Sequence, residues 1–248
     1  TTDQIVALGS AQIAALSTAD LKALGTAAIA AIETGDIRAL GTAQIAALDT
    51  AQVAALTTAQ VAAITTADLR AMSTAQLAAL STDAVVALGS AQVAALSTAQ
   101  VAGLSTSQVA AIETADLRAL SSAQIAALTT AGVAALTTDQ ITALTTAQVL
   151  GLATAQAAAL TTDQIVALTS TQFAAMSTAD LRALGTAQIA AIETGDIRSL
   201  TTAQAAALST AQVAALTTDQ VAALTTAEIR AFSTAQITAL TTADIVAL

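Results

Sequence analysis

The chain has 248 residues, no Cys, His, Trp, Tyr or Pro, only two Phe, and a net charge of −10 from 17 acids against seven cations. Without Cys there is no disulfide, thiolate nucleophile or thiolate metal site, and without His the side chain best suited to proton transfer near neutral pH is missing. The acidic balance repels phosphate backbones and so argues against nucleic acid as a partner.

Read from Thr1, the sequence falls into 31 octads with no insertion or deletion, since 31 × 8 = 248. It opens TTDQIVAL, GSAQIAAL, STADLKAL and ends TTADIVAL. Strict recurrence at a fixed period is the mark of a repeat architecture in which each unit packs mainly on its neighbours. No linker, charge block or change of composition interrupts the frame, so residues 1–248 read as a single continuous array. The first and last octads look like the others, whereas solenoid ends normally carry polar caps. The expectation is therefore a segment of a longer array, or a unit that stacks end to end.

Within the octad, position 2 is Thr or Ser in every copy and position 4 is Gln in 20 copies and Asp or Glu in eight. Position 5 is Val, Ile or Leu apart from Ala157, Phe173 and Ala205, and position 8 is always Leu, Ile, Met or Phe. Position 7 is Ala except at Gly103, Gly151 and Ser199. Large apolar residues three apart, with Ala between them, share a helix face, whereas a strand would send them to opposite sides. Phe173, Met72, Met176 and Phe232 occupy these apolar positions and are expected in the core.

The helix start can be read in two registers. Thr or Ser at position 2 suits an N-cap in every copy. Thr or Ser at position 1 with Gln at position 4 makes a capping box. Gly9, Gly25, Gly41, Gly89 and Gly185 at position 1 fit the residue just past a helix C-terminus. Either register predicts one short helix per octad, roughly positions 3 to 8. A continuous helix is excluded, because eight residues at ~100° each carry the apolar stripe about 80° past two turns. Acids stand at positions 1, 3 and 4 and all cations at position 6 (Lys22, Arg38, Arg70, Arg118, Arg182, Arg198 and Arg230), which complements the helix dipole. Each cation follows an acid by two residues, a spacing that does not meet across a helix, so any ion pairs are expected between octads.

Two longer periods overlie the octad. Position 6 departs from Ala mostly in odd-numbered octads, which predicts a 16-residue unit of paired helices with Ala of the even helices pressed on a neighbour. An 80-residue period relates ETGDIRAL at 33–40, ETADLRAL at 113–120 and ETGDIRSL at 193–200.

The chain is 55% apolar, yet Thr, Ser, Gln and Asp return every octad and no run approaches the ~20 apolar residues of a membrane span. The Asp residues do not form the GGxGxDxUx calcium nonapeptide, and they read as dipole-complementing surface acids. No phosphate-cradling loop, nucleophile–base pair or metal cluster is present. Catalytic, cofactor-binding and metal-ligating residues are accordingly none, no cofactor is expected, and the chain is not expected to be an enzyme. The Gln column at position 4 is expected to form a structural hydrogen-bonded ladder.

The unit TTAQVAAL, with the variant IETADLRAL at 112–120, resembles octapeptide tracts of very large bacterial surface or secreted proteins described as adhesin-, haemagglutinin- or haem-utilisation-like. That resemblance covers the whole chain. Haem binding is not carried over, because His, Cys and Tyr are missing. LTTDQVAAL at 216–224 is similar to the first helix of TAL-effector repeats, but the second helix, the base-reading loop and the ~34-residue period are absent.

The expected fold is an all-α solenoid, one short helix per octad, stacked in pairs, with a β-solenoid as the alternative. The expected role is structural: an extracellular or cell-surface stalk, spacer or filament element that self-associates. The alternative role is an adhesive or ice-binding array presenting Thr and Ser columns to a surface or glycan.

Overall fold

A computed structural model describes residues 1–248. It contains 31 helices and no strand, α1 (Thr2–Val6) to α31 (Thr242–Ala247), one in each octad and numbered with it. The expected all-α class holds. The β-solenoid alternative is overturned, and with it a flat lattice of hydroxyls on a sheet.

The helix α8 (Thr58–Ala63) shows why each stops after a turn and a half. Its N-cap is Thr57, at position 1 of the octad, and its C-cap Ile64, at position 8, has φ −60° and ψ 133°. Thr57 is itself extended, with φ −72° and ψ 158°. Two successive extended residues, Ile64 and Thr65, thus separate α8 from α9 (Thr66–Ala71). The capping-box register is the one adopted, and position 2 is the first helical residue rather than the cap. The helices span positions 2 to 6 or 7 in most octads, one residue earlier than expected.

The glycine reading is corrected as well. No residue, Gly included, has a positive φ. Gly9 and Gly25 sit in the N-cap place with φ −90° and −70°, values open to any L residue. The helices end through a C-cap that is extended, as at Ile64, or right-handed, as at Ala15, so a left-handed glycine is not needed.

The chain forms two compact units, Thr1–Leu128 and Thr129–Leu248. In each, helices pack on their third neighbours. In the first unit α2 (Ser10–Ala14) packs on α5 (Thr34–Ile37), and α5 on α8; in the second, α22 (Ser170–Ala174) packs on α25 (Thr194–Ile197), and α25 on α28 (Thr218–Ala223). Hydrogen bonds reach residues 26 to 31 positions apart, three or four octads away. Each solenoid turn therefore holds between three and four octads.

This winding replaces the expected pairing. A third neighbour always has the opposite parity, so odd and even helices occupy the same kind of surroundings. Position 6 confirms it: Ala14, Ala46, Ala62 and Ala78 of even octads are exposed, as are Lys22, Arg38 and Arg70 of odd ones. Both kinds of octad point position 6 outward, and the odd-octad excess of larger residues has no counterpart in packing.

Positions 5 and 8 supply the core. Ile13, Leu69, Ile125, Ile165 and Phe173 are fully buried, and Met72, Met176 and Phe232 are buried with them. Ala157 and Ala205, the two small residues at position 5, are also fully buried. A lone octad is far too short to be helical in water. Its apolar face is covered only when a later turn closes over it, which is why the structure is a property of the array.

Candidate functional site

The most unusual feature of the interior is polar. Position 4 lies beside position 5 on the inward face, and its Gln side chains are buried: Gln52, Gln60, Gln100, Gln164 and Gln220 are each at most 3% exposed. A buried amide needs partners for one acceptor and two N–H donors, and the octad provides them from two turns.

Gln60 is representative. Its backbone N–H donates to Thr57 Oγ1 at 3.2 Å, and the Thr57 N–H donates to Gln60 Oε1 at 2.8 Å, closing the capping box. Its Nε2 donates to the Ile29 and Ile32 carbonyls at 2.9 and 2.7 Å, four octads back. Those carbonyls belong to a helix C-terminus, where the last C=O groups lack intrahelical donors. One side chain thus caps the start of its own helix and the end of a helix on the preceding turn. The same clamp recurs from Gln52 to Leu21 and Leu24, from Gln100 to Leu69 and Met72, and from Gln220 to Ile189 and Ile192. The expected ladder is present, but its rungs run from Gln to backbone rather than from Gln to Gln.

Where position 4 is Asp, the bonding changes. Asp lacks an N–H and is one methylene shorter, so it receives hydroxyls instead. Asp68 Oδ2 accepts from Thr65 Oγ1 at 2.5 Å within its own octad, and Oδ1 accepts from Thr42 Oγ1 at 3.0 Å, three octads back. Asp244 does the same with Thr241 and Thr218. The hydroxyl of position 2 is thus an inter-turn donor, a role the capping argument did not assign it. These acids serve hydroxyls between turns, while Arg70, Arg182 and Arg198 are exposed at position 6. The expectation that position-4 acids are surface groups facing the dipole is corrected: Asp36, Asp68, Asp116, Asp180, Asp196 and Asp244 are buried.

The environments set the carboxyl affinities for protons. Asp20 is held below the usual carboxylate range, first by the Ser17 hydroxyl and then by the Ser17 N–H. Asp244 is also lowered, chiefly by the Thr241 hydroxyl against an opposing desolvation. Asp196 is raised, first by burial and further by the nearby Glu193 charge, with the Ser170 hydroxyl partly offsetting both.

The octad junction, written Ala-Leu-Thr-Thr-Ala-Gln at 55–60 and 143–148, therefore joins a helix end, two extended residues and the Gln that clamps two turns. The model of the ALTTAQ repeat matches residues 29–66, 61–98, 109–146, 189–226 and 222–248, more than half of the chain. The chain belongs to the ALTTAQ repeat family. In this member the six-residue string that names the family is the structural hinge and clamp together, which gives a physical reason for its recurrence. Comparison with curated proteins gives no match.

The remaining surfaces of this ALTTAQ array offer little chemistry. Leu77, Leu80, Val85, Leu88, Val93 and Leu96 line an interior space of the first unit that presents no polar group to orient a ligand. An open groove nearby carries Lys22, Asp49 and Gln76, and Gln76 is already engaged with the Leu48 carbonyl at 2.7 Å. No helix is long and apolar enough to cross a membrane.

Proposed function

We propose that this ALTTAQ segment is a structural spacer: a stalk or filament element of an extracellular or cell-surface bacterial protein, self-associating and without catalytic activity. The observation that carries the reading is the use of the buried polar groups. Gln60 and its counterparts spend all their donors on the chain's own previous turn, and the hydroxyls facing Asp68 and Asp244 do likewise. A side chain consumed in joining turns is not free to bind a substrate. Because the same Gln-to-carbonyl bonds recur from turn to turn within each unit, adding octads lengthens the array without a new design, as expected of a quasi-one-dimensional solenoid. The extracellular setting is supported by the absence of Cys and by the resemblance to octapeptide tracts of surface proteins.

Small-angle scattering of the purified segment, followed by electron microscopy as concentration is raised, tests the proposal. A spacer gives a radius of gyration well above the ~18 Å of a compact chain of this length, and fibres or end-to-end strings at high concentration. A compact particle that stays monomeric at every concentration overturns it.

A further inference from the structure

We propose that copies of this chain associate side by side, the exposed Arg38 and Arg118 of one copy docking on Asp3 with Val6 and on Asp83 with Val86 of the next. This rests on the self-association in the spacer reading and names the surface that carries it.

The outward side chains of the first unit are not spread evenly. Its exposed large apolar residues are Val6 and Val86, at 49% and 44% exposure. Each stands at position 6, three residues after an exposed acid, Asp3 or Asp83. Residues three apart on a helix are neighbours, so α1 and α11 (Thr82–Val86) each present a valine beside a carboxylate. Arg38 and Arg118 are exposed at position 6 of ETGDIRAL and ETADLRAL. The acids two residues before them, Asp36 and Asp116, are buried and accept the Ser10 and Ser90 hydroxyls. Those carboxylates are engaged inside the array, while the two arginines stand on its surface.

Spacing ties the two sets together. Val6 to Val86 and Arg38 to Arg118 are both steps of 80 residues. In a regular array, equal steps along the chain are equal displacements in space. A single placement of the neighbouring copy therefore brings both arginines onto both valines. Contacts between successive turns join residues 26 apart at Ser10–Asp36, Thr42–Asp68 and Ser90–Asp116, and Thr74 lies under Gly103. At that pitch 80 residues is about three turns, so each pair lies along one side of the unit instead of winding around it.

The two surfaces also match in chemistry. An arginine lays its aliphatic stem on apolar surface and keeps its head in polar surroundings. Here the stem covers Val6 or Val86, and the guanidinium donates to the carboxylate of Asp3 or Asp83, a pairing that its planar fork favours. A partner has to offer an acid beside an apolar residue twice, at the interval of the arginines, and this chain offers that arrangement itself. The donating and receiving surfaces differ, so the contact is heterologous and each copy takes one neighbour on either surface.

Sedimentation velocity of the full chain over a range of concentrations, at low salt and in ~0.5 M NaCl, tests the contact. The wild-type chain should associate at low salt and less in high salt. Arg38→Glu/Arg118→Glu and Asp3→Arg/Asp83→Arg should each weaken association by about tenfold or more, and an equimolar mixture of the two should recover it. All four side chains are exposed, and circular dichroism checks that the helices persist. Variants that associate like the wild type, or a mixture that recovers nothing, overturn the proposal and leave the spacer reading standing. A wild-type chain that stays monomeric overturns it too, and small-angle scattering then decides separately whether the elongated shape of a spacer is present.

Discussion

Removing a single clamp measures how much the inter-turn bonds contribute. Gln60→Ala deletes one capping-box bond to the Thr57 N–H and two short bonds to the Ile29 and Ile32 carbonyls. At about 1 kcal/mol per bond the loss is about 3 kcal/mol. Gln12 supplies the control. It is exposed and its Oε1 accepts the Gly9 N–H at 2.9 Å, so Gln12→Ala costs about 0.5–1 kcal/mol. The gain in helix propensity on going to Ala is common to both and cancels. The difference, about 2 kcal/mol, corresponds to roughly 30-fold in a local opening equilibrium. In a quasi-one-dimensional array the damage is local. Hydrogen exchange read by mass spectrometry should therefore show faster exchange in peptides covering 25–32 and 57–64, and little change far away. If Gln60→Ala and Gln12→Ala exchange alike, the amide clamp does not hold the turns together and the account of position 4 fails.

Four further outcomes follow from the same structure. Gly25 sits in an N-cap place where an added Cβ meets nothing within 4 Å, so Gly25→Ser should raise stability by about 0.5–1 kcal/mol. A Cβ on Gly103 would come within 3.0 Å of Thr74 Cβ, so Gly103→Ala should lower the urea midpoint although Ala is the usual residue at that position. Gln204 bonds the Ala174 and Met176 carbonyls, which places Ala205 on the turn next to Phe173. Phe173→Val and Ala205→Ile should each destabilise by about 1–3 kcal/mol, and the double variant should recover part of the loss in a denaturant double-mutant cycle. For pH, the raised Asp196 carboxyl makes a contribution that is full below its unfolded value and lost as pH rises through the folded one. Asp244, being lowered, contributes above its unfolded value and loses that contribution as pH falls through the folded one. Asp196→Asn should thus raise Tm at neutral pH, and Asp244→Asn should lower it there, with both differences vanishing in acid.

Much of this architecture can be read from the octad itself. The apolar pair at positions 5 and 8 gives both the helix and its buried face, and Thr57 with Gln60 spells a capping box in the sequence alone. The winding could not be read in the same way. It is set by the angle between successive helices, and that angle depends on the backbone of two extended residues, such as Ile64 and Thr65, whose side chains say nothing about direction. Composition misled at position 6, where the odd-octad bias looked structural although all those residues point outward. The acids at position 4 misled for a different reason. Near a helix start Asp68 satisfies the dipole argument whether or not it is buried, and only the turn carrying Thr42 shows what it serves. A signal for that contact does exist in the sequence: Ser10, Ser90 and Ser170 each stand 26 residues before the Asp of a Glu-x-x-Asp octad.

The central claim is that each octad lies on its third and fourth neighbours, not on an alternate one. The chain has no Cys, so engineered pairs report without background. Thr42 and Asp68, whose oxygens are 3.0 Å apart, should form a disulfide under mild oxidation as Thr42→Cys/Asp68→Cys, whereas Thr42→Cys/Gln60→Cys, two octads apart, should stay reduced. A disulfide in the second pair but not the first would contradict the account.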